Sequence, residues 1–182
     1  MKKLFIAAFV LLLAVPTYAQ RYITKNGFIS FYSSAPLETI EAKNDQVNCA
    51  LDTQSGFFVV KALMRAFVFE KALMQEHFNE EYVESAKYPN SLFSGKVTNI
   101  KDINFYKPGT YQAIIEGKLT IHGITNPVTA KGTFTVANGS IIGEAKFPIK
   151  IGDYGISIPA PVVGKIAKTV TITVNVHLNP LK

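Results

Sequence analysis

The chain has 182 residues, a formal charge of +6 and one cysteine, Cys49. A lone cysteine excludes an intrachain disulfide, so the fold must stand on its core. The basic residues are spread along the chain without a Lys/Arg cluster, which argues against nucleic-acid binding and is compatible with weak attraction to anionic headgroups.

Residues 1–19 read as a secretory signal peptide. Lys2 and Lys3 form its basic start, Leu4–Val15 its apolar run, and Thr17-Tyr18-Ala19 a small-residue site with cleavage expected after Ala19. The run is shorter than the ~20 residues a membrane-spanning helix needs. No cysteine follows it that could carry a lipoprotein acyl chain. The expectation is an exported protein, periplasmic or secreted, with one domain over residues 20–182. The mature chain of 163 residues carries a charge of +4, enough length for a core of its own.

In the mature chain, Asn26-Gly27 lies between Tyr22–Thr24 and Phe28–Ser33 and predicts a hairpin. Val47–Asp52 is a short strand, with Cys49 in phase as a small buried hydrophobe, and Thr53–Gly56 is a turn. In Phe57–Phe69 the even positions Phe58, Val60, Ala62, Met64, Ala66 and Val68 are apolar, and Lys61 and Arg65 stand on the other face. A bulge near Arg65 would switch the phase and turn Phe67 and Phe69 inward.

At Phe69 the period changes from 2 to 3.6. Leu73, Met74, His77 and Phe78 share one helical face. Two short helices are predicted in this insert of 70–86, near 70–78 and 80–86. Asn79 would cap the second, and Pro89 would end it. Their apolar face is expected to close one end of a β-barrel.

Leu92–Phe105 reads as a strand, followed by a turn at Lys107-Pro108-Gly109. Thr110–His122 alternates most cleanly, with Tyr111, Ala113, Ile115, Gly117, Leu119 and Ile121 on one face. Gly123–Pro127 turns the chain. Val128–Val136 and Ile141–Ile149 flank the Asn138-Gly139 hairpin, Val162–Lys168 suggests a short helical turn, and Val170–Leu178 is the last strand. The fold class is mainly β: an antiparallel sheet, closed on itself or folded as a sandwich.

The inner rows hold many small residues, among them Ala62, Ala113, Gly117, Ala130, Gly132, Gly143 and Ala145. They suit either a ligand cavity or a packed, tapered barrel. Polar groups do not converge on any catalytic pattern. His77 with Glu80 or Glu81 has metal-compatible spacing but supplies only two ligands. His122 and His177 fall on polar strand faces, where solvent or a surface hydrogen bond is the simplest partner. No triad order, phosphate loop or cofactor motif is present. Lys61, Arg65, Lys118 and Lys131 read as outer charges, of which one or two near a barrel rim would suit an anionic headgroup.

Three pieces carry a resemblance. Ser85-Ala86-Lys87-Tyr88-Pro89 closes the insert, Gly117-Lys118-Leu119-Thr120-Ile121-His122-Gly123-Ile124-Thr125 follows, and Asp153-Tyr154-Gly155-Ile156 comes last. In this order they resemble the YceI-like, polyisoprenoid-binding family over essentially the whole mature chain. The resemblance implies an exported lipocalin-like barrel of about eight strands. Its lumen would sequester an amphiphilic isoprenoid-type lipid, such as a polyprenyl phosphate or a quinone-like molecule. The expected ligand-binding residues are Phe58, Val60, Ala62, Met64, Phe67, Leu73, Phe78, Ala113, Ile115, Leu119, Ile121, Val128, Phe134 and Phe147. No catalytic residue, metal or cofactor is expected. Membrane contact would occur without a transmembrane segment once the signal peptide is removed. The alternative is a partner-binding or stress-response scaffold with a solidly packed barrel; an enzyme built on the insert ranks last.

Overall fold

The computed structural model describes residues 21–181, and the signal peptide read at residues 1–19 lies outside them. Nine strands follow in order: β1 (Arg21–Ser34), β2 (Thr39–Asp52), β3 (Phe57–Leu63), β4 (Val68–Phe69), β5 (Asn90–Val97), β6 (Gly109–Ile121), β7 (Ile124–Ala137), β8 (Ser140–Lys150) and β9 (Thr169–Pro180). All pairings are antiparallel. β1 bonds β2 on one side and β9 on the other, so the sheet closes into a barrel. β3 and β4 run one after the other along β2, Ala62 beside Val47 and Phe69 beside Ala42, and together make a single stave of an eight-stave barrel. Closure removes the edges that a flat sheet would expose to other chains.

The alternation expected for β6 to β9 and for Phe58 to Met64 holds because each strand has one face inside, but it fails beyond Met64, where Val68 is exposed. β7 and β8 are joined at Asn138 (φ 51°) and Gly139 (φ 76°), the paired positive φ that a two-residue turn between twisted strands demands. Two other readings are corrected. Asn26-Gly27 is not a hairpin. β1 runs straight through it as a bulge, its register with β2 shifting between Thr24–Cys49 and Gly27–Val47. Glycine serves close approach here: a Cβ on Gly27 would stand 2.9 Å from Val176 Cγ1. The β6–β7 turn is two residues, His122-Gly123, rather than Gly123–Pro127, because β7 pairs from Ile124 onward.

The phase of β3 is switched by a 3₁₀ turn at Met64–Ala66, not by a bulge, and Phe67 is brought inside. Asn44 holds this place. It is fully buried, its Nδ2 donates to the Leu63 carbonyl at 2.9 Å, and its Oδ1 accepts from the Gln46 amide at 2.8 Å.

The insert is one helix rather than two. Helix α1 (Ala72–His77) continues directly into a wide π-type turn over Phe78–Tyr82. Asn79 caps nothing; its Nδ2 donates back to the Gln75 carbonyl at 2.8 Å, as in a helix interior. The wide turn keeps both Phe78 and Tyr82 against the barrel, which a fresh N-cap at Asn79 would have rotated apart. The chain leaves the turn at Glu84, where φ is 44°.

The two ends of the barrel differ. At one end the strand expected over Leu92–Phe105 stops at Val97, and the following loop folds inward to bury Ile103 and Phe105. Leu51, Phe134, Ile141, Val176 and Leu178 fill that end. At the other end stand the β1–β2 turn, the insert, the His122-Gly123 turn and the long β8–β9 connection, whose Ile151 and Tyr154 form a smaller cluster with Ile149 and Val170. Among the described residues no helix is long and apolar enough to cross a membrane.

Candidate ligand-binding cavity

Between the filled end and the insert lies a cavity of about 480 Å³. The strands supply its wall through their inner rows: Val60, Ile115, Val128, Phe147 and Ile172 are examples. The insert and the β8–β9 connection supply its roof, through Leu73, Met74, Phe78, Val162 and Ile166. Phe31, Phe67, Phe69 and Phe78 form one aromatic cluster there. Phe78 lies 5.0 Å from Phe69, 5.5 Å from Phe31 and 5.8 Å from Phe67 between ring centroids. These are favourable aromatic distances, and they fix the insert to the wall.

Of the residues read as ligand-binding, Phe58, Val60, Met64, Phe67, Leu73, Phe78, Ile115, Leu119, Ile121, Val128, Phe134 and Phe147 line this cavity. Ala62 and Ala113 do not. Their methyls are covered by larger neighbours and belong to the packed core. The small residues also play a different part from the one expected of them. Gly95 and Gly117 face each other across β5 and β6, and a Cβ on either would meet Phe93 Cζ within 2.8 Å. The room they leave is taken by the Phe93 ring; Gly143 seats Phe134 in the same way. Empty volume remains higher up, where β1 and β9 contribute Ile29, Phe31, Val170 and Val174, none of them among the residues read as ligand-binding. Their signal was the same alternation; for Ile29 and Phe31, dividing β1 at Asn26-Gly27 obscured it.

Polar groups gather at the roof. Lys71, just before α1, bonds Glu38 of the β1–β2 turn at 2.8 Å. Hydrogen bonding to Lys71, and then the charges of Lys71 and Lys165, hold the Glu38 carboxyl below the usual carboxylate range; Glu38 in turn raises Lys71. All three side chains line the cavity mouth.

A second tie holds the other end of the insert. His122 is not a solvated surface residue. Its Nε2 meets Glu84 Oε2 at 2.5 Å, its Nδ1 meets the Tyr154 carbonyl at 3.2 Å, and its ring stands edge-on to Tyr88 at 4.8 Å. The bond to His122 is the main cause that lowers the Glu84 carboxyl; the Lys87 charge adds to it. Arg65 Nε reaches Ser85 Oγ at 3.3 Å from the barrel side. His177 keeps a surface bond to Ser140 Oγ at 3.1 Å. Cys49 is buried, and burial pushes its thiol up to about 12, so it presents no nucleophile. Among the described residues no three His, Cys, Asp or Glu side chains converge as a metal site would require. What the arrangement can do chemically is take up an apolar chain and keep polar groups at one end.

A family model described as the YceI-like domain matches residues 24–178. No curated protein matches by sequence. Solved structures share the fold. A polyisoprenoid binding domain from Saccharophagus degradans, implicated in plant cell wall breakdown, superposes with a TM-score of 0.77 at 13% identity, covering 90% of this chain and 99% of that one. BcnA of Burkholderia cenocepacia gives 0.64 at 15%, covering 84% and 94%. The YceI protein of Campylobacter jejuni gives 0.57 at 14%, covering 100% of both.

Proposed function

The chain belongs to the YceI-like domain family, and from that premise we propose that it is a non-enzymatic carrier that sequesters an isoprenoid-type lipid, a polyprenyl phosphate or a quinone-like molecule, in the barrel lumen. One observation carries this reading: the lumen is open and largely apolar, about 480 Å³, and Glu38, Lys71 and Lys165 border it at the insert end. At the ~30 Å³ that a water-sized group occupies in a liquid, that is room for roughly sixteen such groups, about three isoprene units. Burying ten carbons contributes on the order of 8 kcal/mol at ~0.8 kcal/mol each, enough for micromolar binding after association costs. The polyisoprenoid-binding neighbour supports the ligand class, and the signal peptide read at residues 1–19 supports export to the periplasm or medium. A solidly packed scaffold has no use for such a volume.

Mass spectrometry of lipid extracted from the purified native protein tests the proposal. A co-purifying isoprenoid, or displacement of a fluorescent farnesyl analogue by polyprenyl chains, is expected. Absence of both sinks the carrier reading.

A further inference from the structure

The cavity mouth carries exposed apolar side chains that its own fold does not require. Leu37 is 74% exposed, Leu73 60% and Val163 53%. Three segments bring them together. The Leu37 amide donates to the Gly164 carbonyl at 3.0 Å, which sets the β1–β2 turn beside the β8–β9 connection. The Lys71–Glu38 pair sets the start of α1 beside the same turn. Leu73, Glu38, Lys71 and Lys165 all border the cavity.

Among these apolar tips stand two lysines, Lys71 and Lys165, with Glu38 between them as their shared carboxylate; Glu70 also faces Lys71. Lys165 acts on Glu38 through charge alone, whereas Lys71 also bonds it. Lys168, exposed at the foot of β9, adds a further cation at this end. Apolar tips with cations beside them are what an interfacial element offers to an anionic leaflet.

We propose that this rim docks the barrel, mouth down, on an anionic lipid bilayer surface. Leu37, Leu73 and Val163 enter the headgroup–acyl boundary, and Lys71 and Lys165 meet lipid phosphates. The inference rests on the carrier reading. A chain of many carbons leaves a bilayer for a cavity at low cost only if it never crosses water, since each exposed CH₂ opposes the step. A mouth that touches the leaflet meets that condition; a mouth facing solvent does not.

Vesicle flotation of the purified protein tests it, with vesicles of phosphatidylcholine plus phosphatidylglycerol against phosphatidylcholine alone. Binding to the anionic vesicles is expected, weakened by salt, and Lys165→Gln should reduce it about fivefold, the effect of one lysine near an anionic surface. Leu37→Asp combined with Val163→Asp should abolish it. Both sites are exposed, so an unchanged melting midpoint certifies the fold. In parallel, a water-soluble fluorescent farnesyl analogue reports on the cavity and should bind wild type and the Leu37→Asp/Val163→Asp variant alike, since neither residue lines the cavity. Loss of that probe from wild type counts against the carrier reading, whereas flotation reports on docking. Equal flotation on both vesicle types, or flotation unchanged by the double substitution, overturns docking. So does a double variant that merely converts a dimer to a monomer without losing vesicles, which would assign the rim to a second copy of the chain.

Discussion

Glu84 and His122 are 38 positions apart and face each other at 2.5 Å, each from a residue with positive φ, 44° and 51°. Left-handed backbone is unfavourable for side chains of this kind, so the surrounding structure must hold both residues there. The pair joins the end of the insert to the β6–β7 turn, and His122 passes the tie on to Tyr154. Both ring nitrogens thus have an oxygen partner, one on the insert and one on the β8–β9 connection.

The pair makes stability depend on acid in a definite direction. The folded carboxyl of Glu84 lies below its ordinary value of 4.5. Its contribution is therefore present above that value and is lost as pH falls through the lower folded value. Glu84→Gln should flatten the melting midpoint below about pH 4.5 relative to wild type. An acid limb identical in the two proteins would show that Glu84 has no part in it. Lys87, Arg65, Asp153, Tyr88 and Tyr154 also stand in this corner, and of these Lys87, whose ammonium Tyr88 and then the Glu84 charge raise, loses the latter partner in the variant.

Phe78 and Leu73 share the cavity roof but differ in attachment. Phe78 sits in the four-ring cluster, so Phe78→Ala should cost about 3 kcal/mol in urea unfolding, the low end for an aromatic core truncation because it borders empty space. Leu73→Ala, at a largely exposed position, should cost within about 0.5 kcal/mol and instead speed release of a bound farnesyl analogue. Equal stability losses would make the whole insert a fixed plug.

Ala145 lines the cavity between Gly132 and Val174. Ala145→Phe should place a ring in the empty volume. Affinity for the farnesyl analogue should fall at least tenfold, about 1.4 kcal/mol, with little loss of melting midpoint. Undiminished binding would locate the ligand elsewhere.

Asn44→Leu removes two buried hydrogen bonds where the β3 phase switch begins. The Leu63 carbonyl and the Gln46 amide lose their partners, at a cost of about 1–3 kcal/mol for an unsatisfied group. Chemical denaturation measures this, and a neutral result would mean the Leu63 carbonyl and the Gln46 amide find new partners.

Cys49 should ignore Ellman's reagent at neutral pH until denaturant opens the barrel, because burial both shields the thiol and holds it near 12. Rapid reaction of the native protein would place it at the surface.

Local patterns were legible in the sequence when a residue's neighbours along the chain decide its surroundings. Each strand shows one face to the core, so period-2 alternation marks the inner rows from Phe58 to Met64, from Ala113 to Ile121 and from Ile141 to Ile149. The change to period 3.6 at the insert is equally local, as is the Asn138-Gly139 turn, whose two positive φ values those residue types accept. The tertiary structure decided what depends on distant partners. Asn26-Gly27 has the composition of a hairpin and becomes a bulge because β2 and β9 bond the strand on both sides of it. Asn79 has the composition of a cap and becomes helix interior because Phe78 and Tyr82 must both reach the barrel. Small inner residues do not by themselves mean empty space: Gly95 and Gly117 are filled by Phe93, while the cavity opens under Phe31 and Phe78, from strands far apart in sequence. His122 reads as a polar-face residue until closure of the barrel brings Glu84 and the Tyr154 carbonyl to its two nitrogens. Alternation is set by a strand's two faces, but which side chain meets which is set by closure and register, and neither has a period to read.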